Sequence, residues 1–431
     1  MECLCYYEYH IFIIIKLFIF GYIIKGILMK LKRLELKNIG GIKHLSLEFN
    51  SHINVICGMN GIGKSTILKS ILSSIPGTRT RVKPNVDADN GEIIFTYDDS
   101  KRFIVNISNK SPSDYDLINY NNKSYTPGEI IFFDTERNIE YKKLKQIKLE
   151  TELSYSRDNS DRGYEFSLGV KLENIKDWFL MLALHAESKN EHLSPYQSDY
   201  FDAAVAALNI LSSGELEYNC IDYSTNEILL KDVHYNSPIV FEYLSSGYKS
   251  CIYIIWGIIK EIKERFDITY NKYDHGKHNI KDFDGIIIID EIDLHLHPVW
   301  QKEIVGILSK IFSNAQFIIS THSPSVLQNL DRSSIIPLTL NNQGFVTINS
   351  LDLSEYGLQG WTFEEILIYV MGDNKLETDL YRNCIDEFVS SIKIKDKKKA
   401  QYCFNELKKM LHPSNPQLVL LEYQLKGVLN D

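Results

Sequence analysis

Apolar residues in this chain follow two rhythms. Residues 31–49 alternate apolar and polar side chains around Gly40-Gly41, the mark of a hairpin with one face in water, and residues 92–97 and 102–107 repeat the pattern across Asp98-Asp99-Ser100. Residues 53–57, 130–133 and 285–290 are instead short and unbroken, as strands buried on both faces of a parallel sheet must be, and a fourth run begins at Phe317. Helical spacing marks 67–72, 174–189, 198–211, 251–262 and 300–312, and residues 216–230 read as strands around Ser224-Thr225-Asn226. Beyond Leu353 the chain turns helical and charged over 361–371 and 376–411. These elements predict an α/β fold.

The polar ends of the apolar runs carry the chemistry. Gly58-Met59-Asn60-Gly61-Ile62-Gly63-Lys64-Ser65-Thr66 lies between a buried strand and a helix, with the spacing of a phosphate-binding P-loop. Gly58, Gly61 and Gly63, with Asn60 and Thr66 in the same loop, let backbone N–H groups converge on phosphate oxygens, and the helix N-terminus adds partial positive charge. Lys64 is expected on the β- and γ-phosphates of ATP and the Ser65 hydroxyl on Mg²⁺.

Residues 285–289 end in Asp290-Glu291, a Walker B pattern in which Asp290 holds Mg²⁺ through water and Glu291 orients the attacking water. Two acids at a strand end can also do no more than cap a helix, but their place after GIIII favours catalysis. His322, at the end of the later run FIIST, is placed to report the γ-phosphate, although a lone histidine is ordinarily structural. Leu244-Ser245-Ser246-Gly247-Tyr248 opens a helix; Ser245 and Gly247 offer a hydroxyl and backbone N–H groups to phosphate, beside the plainer reading as an N-cap. Its order between P-loop and Walker B makes it an ABC-type signature, which completes the ATP site of a second subunit.

GMNGIGKS, LSSGYKS, IIIIDEIDLHLHP and FIISTHSP together resemble the compact RecF- and SMC-like ABC ATPases, most nearly the PtuA-type ATPases of Septu and retron-associated anti-phage defence. The tail, Gly360-Trp361-Thr362-Phe363-Glu364-Glu365 onward, is similar to the C-terminal region of that group. The resemblance implies a P-loop ABC-type ATPase head over residues 29–350, with a β-rich N-terminal lobe, a helical lid inserted at about 170–212, and a small helical C-terminal region at 351–431. It further implies ATP hydrolysis with Mg²⁺, closure of two heads as a homodimer or higher oligomer, and an HNH nuclease partner encoded alongside. A stand-alone RecF-like DNA-repair ATPase is the rival reading. A transporter subunit fits poorly, because Ser246 and Tyr248 stand where transporters carry Gly and Gln. A Q-loop glutamine is missing near 131–137, where Arg137 is the substitute at hand.

Composition narrows this further. The 431 residues are 44% hydrophobic and 24% charged, ordinary for a packed globular chain, and the net charge of -9 makes any DNA contact depend on a local basic patch. Seven scattered cysteines without a C-x-x-C pair read as reduced cytosolic thiols, and the expected location is cytoplasmic. Residues 11–29 are the most apolar stretch, preceded by acids rather than Lys or Arg, which disfavours a secretory signal. Lys16 interrupts them at a cost of about 2.5 to 3.5 kcal/mol near a membrane helix centre. Met29 stands directly before the first alternating strand, so a wrongly assigned start over residues 1–28 is favoured over a membrane segment or a soluble extension.

Overall fold

The computed structural model describes residues 30–75, 82–97, 102–108, 130–137, 168–172, 174–187, 196–270, 280–373 and 377–430. Residues 1–28 and the polar stretch 142–162 lie outside them. In chain order come strands β1 (Leu31–Ile39), β2 (Ile42–Glu48) and β3 (Ile53–Cys57), helix α1 (Lys64–Leu72), then β4 (Asn90–Tyr97), β5 (Arg102–Ser108) and β6 (Ile130–Phe133). Helices α2 (Ile175–Glu187) and α3 (Tyr196–Leu211) precede β7 (Leu216–Asp222), β8 (Glu227–Asp232) and β9 (Ile239–Val240). Helix α4 (Ser246–Tyr270) leads to β10 (Ile286–Ile289), α5 (Pro298–Ile311), β11 (Gln316–Ser320), α6 (Pro324–Gln328), β12 (Ile335–Leu340) and β13 (Val346–Ile348).

A six-stranded sheet ordered β13-β12-β3-β11-β10-β6 forms the centre, parallel except for β13. Because strand side chains alternate between faces, each unbroken apolar run serves two cores. Val55, Cys57, Ile131, Phe133, Ile287, Ile289, Phe317 and Ile319 point into a layer built with α2 to α5. Ile56, Ile130, Phe132, Ile286, Ile288 and Ile318 pack against α1 and an antiparallel sheet, β2-β1-β4-β5. Here the half-wet hairpins read from the sequence find their buried face. Gln316, fully buried, joins the two sheets: its side chain accepts from Leu31 N at 2.9 Å and donates to the carbonyls of Leu31 and Asn50 at 2.8 and 2.7 Å.

The expected helical insertion appears as α2 and α3, packed on α4. Phe179 stacks on Trp256 at 4.1 Å, and the Trp256 indole donates to Ala204 O at 3.0 Å. Such a ring pair adds about 0.5–1.5 kcal/mol to the burial itself.

Clustering of contacts divides the chain at Gly372/Asp373, not at the expected 350/351. Leu353, Leu358, Ile366, Val370 and Met371 explain the difference: all are buried in the head core, so the tail's first helical turns belong to the head. The second unit is a set of three helices, α7 (Asp379–Lys393), α8 (Lys397–Met410) and α9 (Pro416–Asn430), around Phe388, Ala400, Cys403, Phe404, Leu407, Leu421 and Leu425. Among the described residues no helix is long and apolar enough to cross a membrane.

Candidate active site

The loop after β3 is shaped by its glycines. Gly58 has φ of 145°, and a Cβ there would lie 2.7 Å from Leu338 O, so no side chain fits. Gly63, at φ of 106°, is the residue from which α1 starts; Ile67 N donates to its carbonyl at 3.0 Å. Asn60 and Gly61 are exposed, Ser65 and Thr66 half-buried. Lys64 folds back over the loop, donating to Gly58 O at 2.9 Å and Met59 O at 3.1 Å, with its Nζ 3.3 Å from His322 Nδ1. Burial pushes the Lys64 ammonium down to about 8, against the pull of Glu291, Asp290 and Asp293.

Strand alternation aims Asp290, after Ile288, toward the face that carries α1. Asp290 is fully buried; its Oδ1 accepts from Ser320 Oγ at 2.5 Å, and its Oδ2 has no hydrogen-bond partner among the described residues. The next residue, Glu291, is held at φ of +50°, a left-handed conformation costing a non-glycine residue about 1–2 kcal/mol. Its N–H donates to Ser320 Oγ at 2.8 Å, so one hydroxyl serves both acidic residues. On the carbonyl side, the Arg137 guanidinium donates through Nη2 to Asp290 O at 2.9 Å and to Glu291 O.

His322 lies between the two motifs. Its Nε2 is 3.8 Å from Glu291 Oε1 while Nδ1 faces the Lys64 ammonium. Burial and Lys64 push its imidazolium below the usual histidine range, so the ring is neutral; Nδ1 then accepts from Lys64 and the proton sits on Nε2, toward Glu291. Burial, reinforced by Asp290 and Asp293, pushes the Glu291 carboxyl up. Asp293 accepts from Thr321 Oγ1 at 2.5 Å and His322 N at 3.1 Å, locking the end of β11 to the turn after β10. Ser323 continues the tie by donating to Gln301 Oε1 of α5 at 2.6 Å.

Lys64, Asp290, Glu291 and His322 are thus brought together. Ser245 and Gly247 are not in this cluster. Ser245 caps α4, accepting from Tyr248 N at 3.3 Å, and with Ser246 is exposed. Gly247 is buried where a Cβ would lie 3.1 Å from Trp300, so close packing against α5 disfavours a side chain there. Tyr248 donates to Leu208 O at 3.1 Å and meets Trp300 edge-on, a packing role for the residue that departs from the transporter pattern.

Sequence reasoning missed Ser320, Thr321, Asp293 and Gln301. The signal available was small polar residues directly after an apolar strand, which fixes their place but not their partner across the sheet. As a test of Mg²⁺, the donor set fits: a buried carboxylate oxygen without a partner costs about 1–3 kcal/mol and is relieved by a cation's water, and the Ser65 hydroxyl leads the P-loop helix. Among the described residues no cluster of three or more His, Cys, Asp or Glu could hold a metal ion by itself.

Comparison with known proteins finds similarity to ATPases. Residues 53–328 match the family described as "AAA domain, putative AbiEii toxin, Type IV TA system", and 29–74 match "AAA ATPase domain". The chain is 36% identical over 407 residues to the Septu protein PtuA of Bacillus thuringiensis, covering 92% of this chain and 98% of that one. It is 31% identical over 210 residues to the Retron Ec83 probable ATPase of Escherichia coli, across 49% of this chain and 34% of that protein. Among solved structures it aligns with the SMC head domain from Thermotoga maritima at 15% identity and a TM-score of 0.42, over 75% of this chain and 100% of that one.

Proposed function

This chain belongs to the family of the Septu protein PtuA and is a P-loop ATPase; on that premise we propose that it serves anti-phage defence by closing two heads over two ATP molecules to control a partner nuclease of the HNH type. One observation carries the catalytic part: Lys64, Glu291 and His322, far apart in sequence, stand in a row with His322 in contact with both.

In this reading the glycine loop, with Asn60 and Thr66, cradles the phosphates, and the Lys64 ammonium leaves the loop carbonyls for the more negative β- and γ-phosphate oxygens. Ser65 and Asp290 hold Mg²⁺, which when bound neutralises phosphate charge. Glu291 orients the attacking water and accepts its proton, a task helped by the raised pKa of its carboxyl. The neutral His322 donates from Nε2 toward the γ-phosphate. Ser245 and the backbone at Gly247 complete the partner protomer's site, which the outward position of Ser245 and Ser246 supports. The α2–α3 insertion acts as the lid of the head.

The test is Glu291→Gln. Phosphate release is expected to fall by about 10²–10³, with ATP binding retained and an ATP-dependent dimer accumulating in analytical ultracentrifugation. Unchanged hydrolysis removes Glu291 from its role. Co-purification from the native operon tests the nuclease: a partner with an H-N-H motif is the expected result.

A further inference from the structure

We infer that Arg137 is the positioning residue of the hydrolytic carboxylate: with Ser320 it braces the Asp290-Glu291 turn from the two strands that flank β10. The inference rests on the reading of Glu291 as the group that acts on water.

The sheet order supplies the brace. β10 lies between β11 and β6, and each neighbour ends in a side chain directed at the same pair of peptides. From β11, the Ser320 hydroxyl accepts from Glu291 N–H and donates to Asp290 Oδ1. Just beyond the end of β6, the Arg137 guanidinium donates to the carbonyls of Asp290 and Glu291. Glu291 is thereby held on both its N–H and its C=O side in a left-handed conformation that a glutamate rarely adopts, and that conformation sets where its carboxylate points.

A second observation separates Arg137 from a merely structural arginine. The residue is 6% exposed, yet Nε and Nη1 have no hydrogen-bond partner among the described residues, although buried donors are almost always satisfied. Its surroundings are the carboxylates Asp134, Asp290, Glu291 and Asp293, of which Asp134 also pairs with Lys69 at 3.4 Å. One guanidinium nitrogen, Nη2, reaches both carbonyls, and an arginine combines the length needed to place it there with a charge that persists in a buried site. The missing Q-loop glutamine is thus replaced by a residue that works through the protein backbone rather than on the nucleotide.

The test uses the full chain, with Arg137→Ala, Arg137→Lys and Ser320→Ala beside Glu291→Gln. Arg137→Ala is expected to lower kcat by at least about tenfold while the Kd for a fluorescent ATP analogue stays within about threefold. Millimolar guanidinium chloride, far below the denaturing range, is expected to recover part of the turnover in Arg137→Ala and none in Ser320→Ala or Glu291→Gln. Arg137→Lys stays low, because its ammonium keeps the charge but ends one atom short of the place Nη2 holds between the two carbonyls. Turnover of Arg137→Ala at the wild-type rate, or a loss that guanidinium does not recover, overturns the brace. The two readings separate cleanly: a fully active Glu291→Gln sinks the role of Glu291 itself, whereas an inactive Glu291→Gln beside a fully active Arg137→Ala sinks only the brace.

Discussion

The pocket at the ends of β3, β10 and β11 and the turn at the start of α4 carry motifs of equal clarity in the sequence, yet the protein treats them in opposite ways. In the pocket, polar groups answer each other inside one chain: Lys64 to His322, His322 to Glu291, Asp290 to Ser320, Asp293 to Thr321. At the signature turn, the buried Tyr248, the half-buried Trp300 and the packed Gly247 fix the backbone, while Ser245 and Ser246 are left facing outward. One half of an ATP site is assembled within the chain. On the proposed reading, the other half is the outward-facing turn, offered to a second copy.

This contrast can be broken most forcefully at Lys64. Lys64→Ala removes the one ammonium in the P-loop and is expected to weaken ATP binding by about a hundredfold, measured by equilibrium titration with a fluorescent ATP analogue. Next in size, Ser245→Arg is expected to cost about 1 kcal/mol of stability through the lost cap and to leave ATP binding unchanged while lowering turnover at least about tenfold, since the change lies away from the Lys64 pocket. Mixing Ser245→Arg with Lys64→Ala sharpens the point: mixed dimers contain one intact composite site, so part of the phosphate release returns. No recovery on mixing would place the signature turn outside the shared site.

A smaller effect follows from pH. The nucleotide-free Lys64 ammonium titrates at about 8, and bound phosphate favours its charged form, so ATP affinity is full below that pH and declines as pH rises through it. The expected slope is at most about tenfold per pH unit, read from ATP titrations across that range. A flat profile would mean that burial does not hold the ammonium down. Smallest of all, Tyr248→Phe deletes the bond to Leu208 O and is expected to cost about 1 kcal/mol in urea unfolding with turnover unchanged, as suits a residue that packs and does not react.

How much of this was legible in the chain depends on range. The P-loop could be read because its glycines, lysine and serine act within one turn of backbone, and the strands because period two or an unbroken apolar run reports one or two buried faces. Helix α9 lies within the expected helical region but beyond the run read over 376–411, because its pattern is diluted: Leu421, Leu425 and Val428 are buried at helical spacing, but the neighbouring Val419, Leu420 and Tyr423 are exposed. The boundary at 350 was set too early because the change toward charged, helical residues precedes the last apolar residues that the head still buries.

The amino-acid sequence by itself determined the phosphate loop, the acidic pair and the alternation that divides each central strand between two cores, because each depends on residues next to one another. Only the tertiary structure decided that Ser320 serves both Asp290 and Glu291, that Arg137 grips the carbonyls of that same pair, and that His322 stands between lysine and glutamate. Those contacts link residues on different strands, and it is the order in which the strands lie side by side, not their order in the chain, that brings a hydroxyl, a guanidinium and an imidazole to one turn.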